Sequence, residues 1–589
     1  MPIGEIVGEA ISSSRSGSRL MRRERNGEVS EERSWRQFAT AGLRVVCLSV
    51  FLVLLAALVR VQIFQGQYFR ALADGNRVRE VAVPAARGII FDRDGRKLVT
   101  NLPAFELRAC QGDRECTVSM ISKDQAISLQ TKGLPAGTTI LISSNRSYPY
   151  GEALAHLLGY VSEASADDLR ERMALLSGDQ VGRGGVEEAY DGALRGQRGK
   201  ELVEVDALGQ KLRTLGTIAP RAGEDVTLSV DLELQKVAYE QIKDRKAAVV
   251  ALDPRNGEVL ALVSSPSFDP NLFTDLTLPA EERMRKINGL FNDQNHPLFD
   301  RAVSGTYPPG STFKIISATA GLETGKIGPT TTIVDPGILI IGPYKFPNWK
   351  FLRDGGTQGV LNVTSAIRVS NDIFFYKVGE AVGVDGLADW ALRYGLAKNT
   401  GVDLPGEASG LFPTKDWREK FARDWYLGDT YHLAIGQGDL LVTPLQVSRW
   451  TSAIANGGKL CQPHVRQSND QSSIINDQCQ SMGISRKTVD LIKQGMVEAC
   501  SPGGTGYPLF NFEIRNSKSE IRKIQIACKT GTAEFGDPQD RTHAWLTAYA
   551  PAEDPTIAVT VLVEAGGEGS DVAAPMVKKI LEEYFSKLL

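Results

Sequence analysis

The stretch Tyr307-Pro308-Pro309-Gly310-Ser311-Thr312-Phe313-Lys314 sets a hydroxyl and an amine three residues apart, past a Pro-Gly breaker and at the head of an apolar run (Ile315, Ile316, Ala318). The prolines disfavour helix before them and the following residues permit it, so a helix is expected to begin near Ser311. Residues i and i+3 share a helical face, which lets Lys314 reach Ser311 Oγ. A serine hydroxyl becomes a nucleophile when a neighbouring base takes its proton, and a desolvated lysine can be that base. Backbone N–H groups at the helix start would suit a developing oxyanion. By itself Ser-x-x-Lys is a weak signal, more often an exposed helical pair than a catalytic one.

Two further groups change that reading. Lys529-Thr530-Gly531-Thr532 follows an apolar segment, Ile524 to Ala527, that reads as strand. Alternation lets Lys529 face a cleft, Gly531 lets a substrate backbone come close, and a cation with two hydroxyls makes a receptor for a carboxylate. Ser370-Asn371-Asp372, in the expected helix start AIRVSNDIFFYKVG, adds a hydroxyl for proton relay and a polar group for substrate amides. The three groups follow one another 59 and then 159 residues apart. His543, near the lysine strand, has neither the nucleophile elbow nor the acidic partner of a triad. Gly503-Gly504-Thr505-Gly506 lacks the Gly-Lys-Ser/Thr ending of a phosphate loop and reads as an ordinary loop.

The elements that must position these residues follow from the rest of the chain. A sequence of 589 residues, 42% hydrophobic and 23% charged, is globular protein in two to four domains. Nothing in it points to nucleic acid, because the only arginine-rich run sits beside a membrane segment. That segment, Val45 to Val59, carries no charge. As helix it spans about 22 Å, short of a roughly 30 Å hydrocarbon core. Arg44 and Arg60 can snorkel and Val61 to Phe64 extends it. Eight arginines and no lysine lie in residues 1–44, so these are expected in the cytoplasm, 45–64 as a single uncleaved anchor, and the remainder outside.

Residues 65–224 read as a mixed α+β, loop-rich module without a catalytic residue set, and 225–589 as an α+β layer domain whose sheet joins both ends of the segment. A hairpin is expected over Ala247 to Ser265 with its turn at Asp253 to Gly257, and a terminal helix over Asp571 to Leu588. Six cysteines follow the anchor. Cys110 with Cys116, and Cys461 with Cys479, suit disulfides in an oxidising compartment; Cys500 and Cys528 could pair or stay reduced, and six buried thiols remain an equal alternative.

With these residues assembled, the chain resembles a class B penicillin-binding protein over nearly all of its length beyond the anchor. The order Ser-x-x-Lys, Ser-Asn-Asp, Lys-Thr-Gly is that of the serine acyl-transfer pattern of penicillin-binding proteins and β-lactamases. Similar segments include PAARGIIFDRDGRKLVTN, RSYPYGEALAHLLGYV and GGVEEAYDGALRG in the first module, and VALDPRNGEVLALVSSPSFDPN, NHPLFDRAVSGTYPPGSTFK, AIGQGDLLVTPLQ and KTGTAE in the second. The resemblance implies a D,D-transpeptidase anchored in the bacterial cytoplasmic membrane that cross-links peptidoglycan stem peptides. Its catalytic domain would be an antiparallel sheet between helical layers, it would be acylated by β-lactams, and it would need no cofactor.

By that resemblance Ser311 is the acylated nucleophile and Lys314 its base, and Ser370 passes protons. Lys529, Thr530 and Thr532 hold the substrate carboxylate beside Gly531, Asn371 meets substrate amides, and the N–H groups of Ser311 and Thr532 form the oxyanion hole. The middle group often ends in Asn, and Asp372 instead resembles elongation-type members, as does Trp425 to Gln446. Some of those members bind a metal through a His and a Cys before and within this group. Gln358 and Asn371 stand at those positions, are poor ligands, and no metal is expected. The competing activities are a D,D-carboxypeptidase or β-lactamase-like hydrolase, a septal transpeptidase, and a β-lactam sensor. An extra acidic base for water, or a longer transmitting segment, would favour the hydrolase or the sensor. The implied partners are a glycan polymerase of the SEDS type and other wall-synthesis proteins.

Overall fold

The computed structural model describes residues 28–587 apart from 112–114, 136–137, 173–174, 207–210, 277, 468–478 and 516–520. Most of the arginine-rich tail lies outside them. Helix α1 (Glu28–Val59) runs on through a π-helical turn, Arg60–Phe64. Its apolar part, Phe38–Phe64, has 27 residues, and its most apolar 18-residue stretch has a mean hydropathy of 2.6 with none of it buried against the protein. At 1.5 Å per residue that is about 40 Å, enough to cross a bilayer. The count from Val45 to Val59 underestimates the helix because it stops at charged residues, whereas the helical backbone continues through Arg44 and Arg60.

The first module is built from β1 (Val78–Val83), β2 (Lys97–Gln111), β3 (Glu115–Ile121), β4 (Thr138–Ser147), β5 (Gly199–Val205) and β6 (Lys211–Ile218). β5 lies between β1 and β6 in one antiparallel sheet, and β2 pairs antiparallel with β3 and β4 in another. An Asp-Gly turn links Ile90–Phe91 to β2, with Asp92 Oδ1 accepting from the N–H groups of Asp94 and Arg96 at 3.0 and 2.7 Å. Three of the segments noted in the sequence meet at one buried acid. Glu187 accepts from Arg87 Nε and Arg146 Nε, each at 2.7 Å, with all three side chains nearly dry. Removing one member of such a group would leave an uncompensated buried charge.

The catalytic domain opens with helix α2 (Leu232–Ile242) and the hairpin β7 (Ala247–Leu252) and β8 (Val259–Ser265). The hairpin turn is closed by Gly257 N–H on Asp253 O, where the sequence placed it. Helices α3 (Lys314–Glu323), α4 (Val363–Arg368), α5 (Asp372–Arg393), α6 (Pro444–Ala455) and α7 (Arg486–Ala499) follow. The chain then returns through β9 (Ala527–Glu534), β10 (Thr542–Ala550) and β11 (Ile557–Val563) and ends in α8 (Ala574–Ser586). The sheet order is β8-β7-β11-β10-β9, antiparallel throughout, so early and late strands share one sheet and β9 is its edge.

Alternation along the strands supplies both faces. Leu546, Ala548, Val559 and Val561 pack under α2 and α8 with Leu234, Ala238, Val577 and Leu581. Trp545, Tyr549, Ala558 and Leu562 face α3, α5 and α6 with Phe313, Phe374 and Trp450. A third core crosses from the first module into the second: Ile90, Leu98, Tyr148 and Leu157 pack with Val250, Leu252, Val259 and Leu262. Val226–Thr227 also pairs in parallel with Ile90–Phe91.

Two disulfides join Cys461 to Cys479 and Cys500 to Cys528. Cys110 and Cys116 face each other in the β2–β3 register, but their side chains lie outside the described residues. Because α1 is the only candidate span among the described residues, full-length protein should pellet with membranes and a fragment from Gly75 to Leu589 should fractionate as soluble, folded protein. Alkaline-resistant membrane attachment of the fragment would contradict this.

Candidate active site

Gly310–Phe313 forms a single 3₁₀ turn and α3 begins at Lys314, so Ser311 sits in the entry turn and not in the α-helix proper. Three contacts fix that turn. Gly310 N–H donates to Gly436 O at 2.9 Å, Trp545 Nε1 donates to Pro308 O at 3.0 Å, and Thr312 Oγ1 donates to Pro309 O at 2.9 Å. Gly436, at φ +77°, has no room for a side chain, since a Cβ would lie 2.1 Å from Gly310 O. On the other side Gly531 of β9 faces the turn, and a Cβ there would meet Pro309 O and Thr312 Cγ2 at 3.0 Å. Ser311 is partly exposed at the mouth of this seam.

Ser370 lies in the short link between α4 and α5 with φ +53°, a conformation that a non-glycine residue holds at a cost of about 1–3 kcal/mol when its surroundings fix it. There its main chain and hydroxyl both face Lys314. The Lys314 ammonium donates to Ser370 O at 2.8 Å, Asp372 Oδ1 at 2.6 Å and Ser370 Oγ at 3.4 Å. Its three protons are thus engaged, and no hydrogen bond among the described residues joins it to Ser311 Oγ. The i, i+3 spacing brings the two residues to one cleft, but acceptors from the middle group take the amine. Lys529 Nζ donates to the same Ser370 Oγ at 2.8 Å and to Thr530 O at 2.9 Å. One serine oxygen therefore bridges two fully buried lysines.

Burial dominates the electrostatics. It pushes Lys314 below the ordinary lysine range, against the charge and hydrogen bond of Asp372. Lys529 is driven well below that range by burial and then by the Lys314 ammonium, with Asp372 opposing. Two ammoniums sharing one carboxylate and one hydroxyl titrate as a unit, and that unit releases a proton more readily than a free lysine.

The remaining residues divide. Thr530 Oγ1 donates to Thr505 Oγ1 at 2.8 Å, and Thr532 Oγ1 donates to Glu568 Oε2 at 2.8 Å. Asn371 departs from the expectation that it meets substrate amides. It is fully buried, its Oδ1 caps α5 by accepting from Phe374 N–H at 2.7 Å, and its Nδ2 donates to Asp335 and Gln358. Asn is a favoured N-cap residue, and that preference was the signal for this role. His543 stands opposite Ala533 in the β9–β10 register, stacks on Phe535 and accepts from Ala565 N–H through Nδ1. Burial lowers it to about 4, so it is neutral at physiological pH. Thr505 belongs to the loop read as ordinary, and the loop closes against β9. Its neighbour Cys500 is bonded to Cys528, immediately before Lys529. Thr505 was weighed in the sequence only as part of a glycine-rich loop, and Glu568, Asn348 and Asp335 were not singled out, because nothing local marks them.

A serine and two buried lysines at the edge of a five-stranded sheet between helical layers define a serine acyltransferase site. Residues 247–582 match the penicillin binding protein transpeptidase domain family, and 115–228 the penicillin-binding protein dimerisation domain family. The peptidoglycan D,D-transpeptidase MrdA of Acinetobacter baumannii is 32% identical over 93% of this chain and 87% of its own. That of Escherichia coli K12 is 33% identical over 90% and 91%. Among solved structures, the complex between penicillin-binding protein PBP2 and MreC from Helicobacter pylori superposes with a TM-score of 0.75 at 31% identity, covering 87% of this chain and 100% of that one. Pseudomonas aeruginosa PBP2 in complex with WCK 5153 gives 0.69 at 32% identity, covering 86% and 96%. The chain belongs to the penicillin-binding protein family, as a class B member of the PBP2 type.

The rate of acylation by a fluorescent penicillin should rise with pH as the lysine pair loses its proton, with a midpoint below the roughly 10.4 of a free lysine. Asp372 favours the charged amine, so Asp372→Asn should move that midpoint to lower pH. The maximal rate should also fall on the order of 10²-fold, as the ion pair that fixes Lys314 is lost. A midpoint that rises in the variant would contradict the assignment of the pair.

Proposed function

We propose that this D,D-transpeptidase works through Ser311, with the Ser370 hydroxyl as the shared proton bridge between Lys314 and Lys529. The observation that carries the reading is that bridge: Ser370 Oγ lies 2.8 Å from Lys529 Nζ and 3.4 Å from Lys314 Nζ. Ser311 Oγ attacks the carbonyl carbon of the penultimate D-Ala, and its proton passes into the lysine–serine unit. The N–H groups of Ser311 and Thr532 receive the developing oxyanion. The C–N bond to the terminal D-Ala breaks, and its nitrogen takes the proton back through Ser370. An amine of a second stem peptide then attacks the ester, a new amide forms, and the proton of that amine returns to Ser311 Oγ. Lys529, Thr530 and Thr532 bind the terminal carboxylate, the two threonines exchanging their present partners Thr505 and Glu568 for it. Asp372 acts by holding Lys314.

The arginine-rich segment before α1 supports a cytoplasmic N-terminus and an extracytoplasmic catalytic domain. The Helicobacter pylori relative is described in complex with MreC, and another solved relative in a peptidoglycan synthase complex. This chain accordingly works beside wall-synthesis proteins, with a SEDS-type glycan polymerase supplying the strands it joins.

Fluorescent penicillin should label the wild-type protein covalently, and Ser311→Ala should abolish labelling while leaving the melting temperature within a few degrees. Label retained by the variant would remove Ser311 from the role. The acyl-enzyme should persist for many minutes, whereas turnover within seconds would assign the site to a hydrolase.

A further inference from the structure

Behind Asp372 lies a knot of four polar side chains from separate segments: Asp335 at the end of the short strand Ile333–Asp335, then Asn348, Gln358 and Asn371. Asp335, Asn348 and Asn371 are buried. Asp335 Oδ2 accepts from Asn348 Nδ2, Asn371 Nδ2 and Gln358 N–H, each at 2.9 Å, and Oδ1 accepts from Gly337 N–H at 2.7 Å. Gln358 Oε1 accepts from the same two amides, at 3.0 Å from Asn348 and 2.8 Å from Asn371, and its Nε2 donates to Val369 O at 3.2 Å. No ion pair reaches Asp335 among the described residues, so N–H dipoles alone hold its buried charge.

The amide orientations are fixed from outside the knot. Asn371 Oδ1 is claimed by Phe374 N–H, and Asn348 Oδ1 by Asp372 N–H at 3.1 Å, which turns both NH₂ groups inward. Here a flip of either side chain would leave a backbone N–H without its acceptor and set an oxygen against a carboxylate. This arrangement decides whether the metal of some relatives fits. A divalent ion needs lone pairs converging on one point. The centre of this knot is instead lined by N–H donors, already matched to one carboxylate and one amide oxygen. The residues do not fit a metal.

The knot also touches the catalytic group. Asn348 holds the Asp372 main chain, and the next residue, Trp349, donates its N–H to Asp372 Oδ2 at 2.8 Å, leaving Oδ1 for Lys314. We propose that this metal-free amide–carboxylate knot takes the structural place of an ion, and that Asp335 and Asn348 are positioning residues that fix Asp372 and, through it, Lys314. This rests on the reading of Lys314 as part of the acylation machinery. The metal half of the test is independent of that reading.

Full-length protein in detergent should keep its melting temperature and its penicillin-acylation rate after prolonged dialysis against dipicolinate. Elemental analysis of the untreated protein should find zinc and other divalent transition metals far below one per chain. A stoichiometric metal, or a loss on chelation that zinc restores, would overturn the metal-free half. For the positioning half, the charged groups facing Lys314 are Asp372 and Lys529. Asn348→Ala should lower the acylation rate constant on the order of 10–100-fold, with little change in the initial binding constant, and move the midpoint of the pH–rate profile downward. Gln358→Ala, which opens the knot without touching Asp372, should lower the melting temperature and leave that midpoint in place. Equal behaviour of the two variants, in rate and in midpoint, would reduce the knot to a stabilising element and overturn the positioning half.

Discussion

The site rests on one electrostatic constraint: two lysines are buried in a seam that offers them a single carboxylate. Taking an ammonium out of water is expensive enough that an unpaired one gives up its proton instead. Asp372 compensates one of the two, and the other is left with a hydroxyl and a carbonyl. The seam therefore holds an amine that gives up its proton more readily than a free lysine, without needing histidine. Ser370 holds a left-handed conformation in which its carbonyl and its hydroxyl reach the lysines together.

This constraint explains why three remote stretches have to be held so firmly. The Ser311 turn is gripped by Trp545 from the sheet and by the main chain at Gly436, and it lies on Gly531 at the sheet edge. The middle group is capped by Asn371 and braced from behind by Asn348. The lysine strand is tied to the end of α7 by the Cys500–Cys528 bond. Apart from the disulfide, these supports act on main chain, which fixes where the candidate catalytic side chains originate. The buried Arg87–Glu187–Arg146 group does similar work in the first module, beside the apolar core that includes Ile90, Leu98, Tyr148 and Leu157.

Much of this was legible in the sequence, for a physical reason: periodicity, turn chemistry and ordered catalytic groups are local. The hairpin at Asp253 to Gly257, the strand carrying Lys529, the terminal helix and the membrane helix all follow from residues close together in the chain. Partnerships across 50 or more residues were not legible. Helical spacing sends Lys314 towards Ser311, whereas acceptors 56 and 58 residues away take its protons. Asn371 looked like a substrate ligand because its neighbours are catalytic, although its type fits a helix cap. Thr505 sits in a glycine-rich loop and Asn348 in a stretch with no pattern, and each acquires a role only when the fold brings it to Thr530 or Asp372.

The position of β9 has a further consequence. The five-stranded sheet stops at this strand, and the next place along it is the cleft where Ser311 waits. An extended peptide entering there would meet an unpaired strand edge and could be held through its own amides and carbonyls. Recognition of that kind is indifferent to most side chains and strict about backbone shape and chirality. Selectivity for a chain that ends in D-residues, together with tolerance of what precedes them, would then follow from where the sheet ends, beside the proposed carboxylate receptor of Lys529, Thr530 and Thr532.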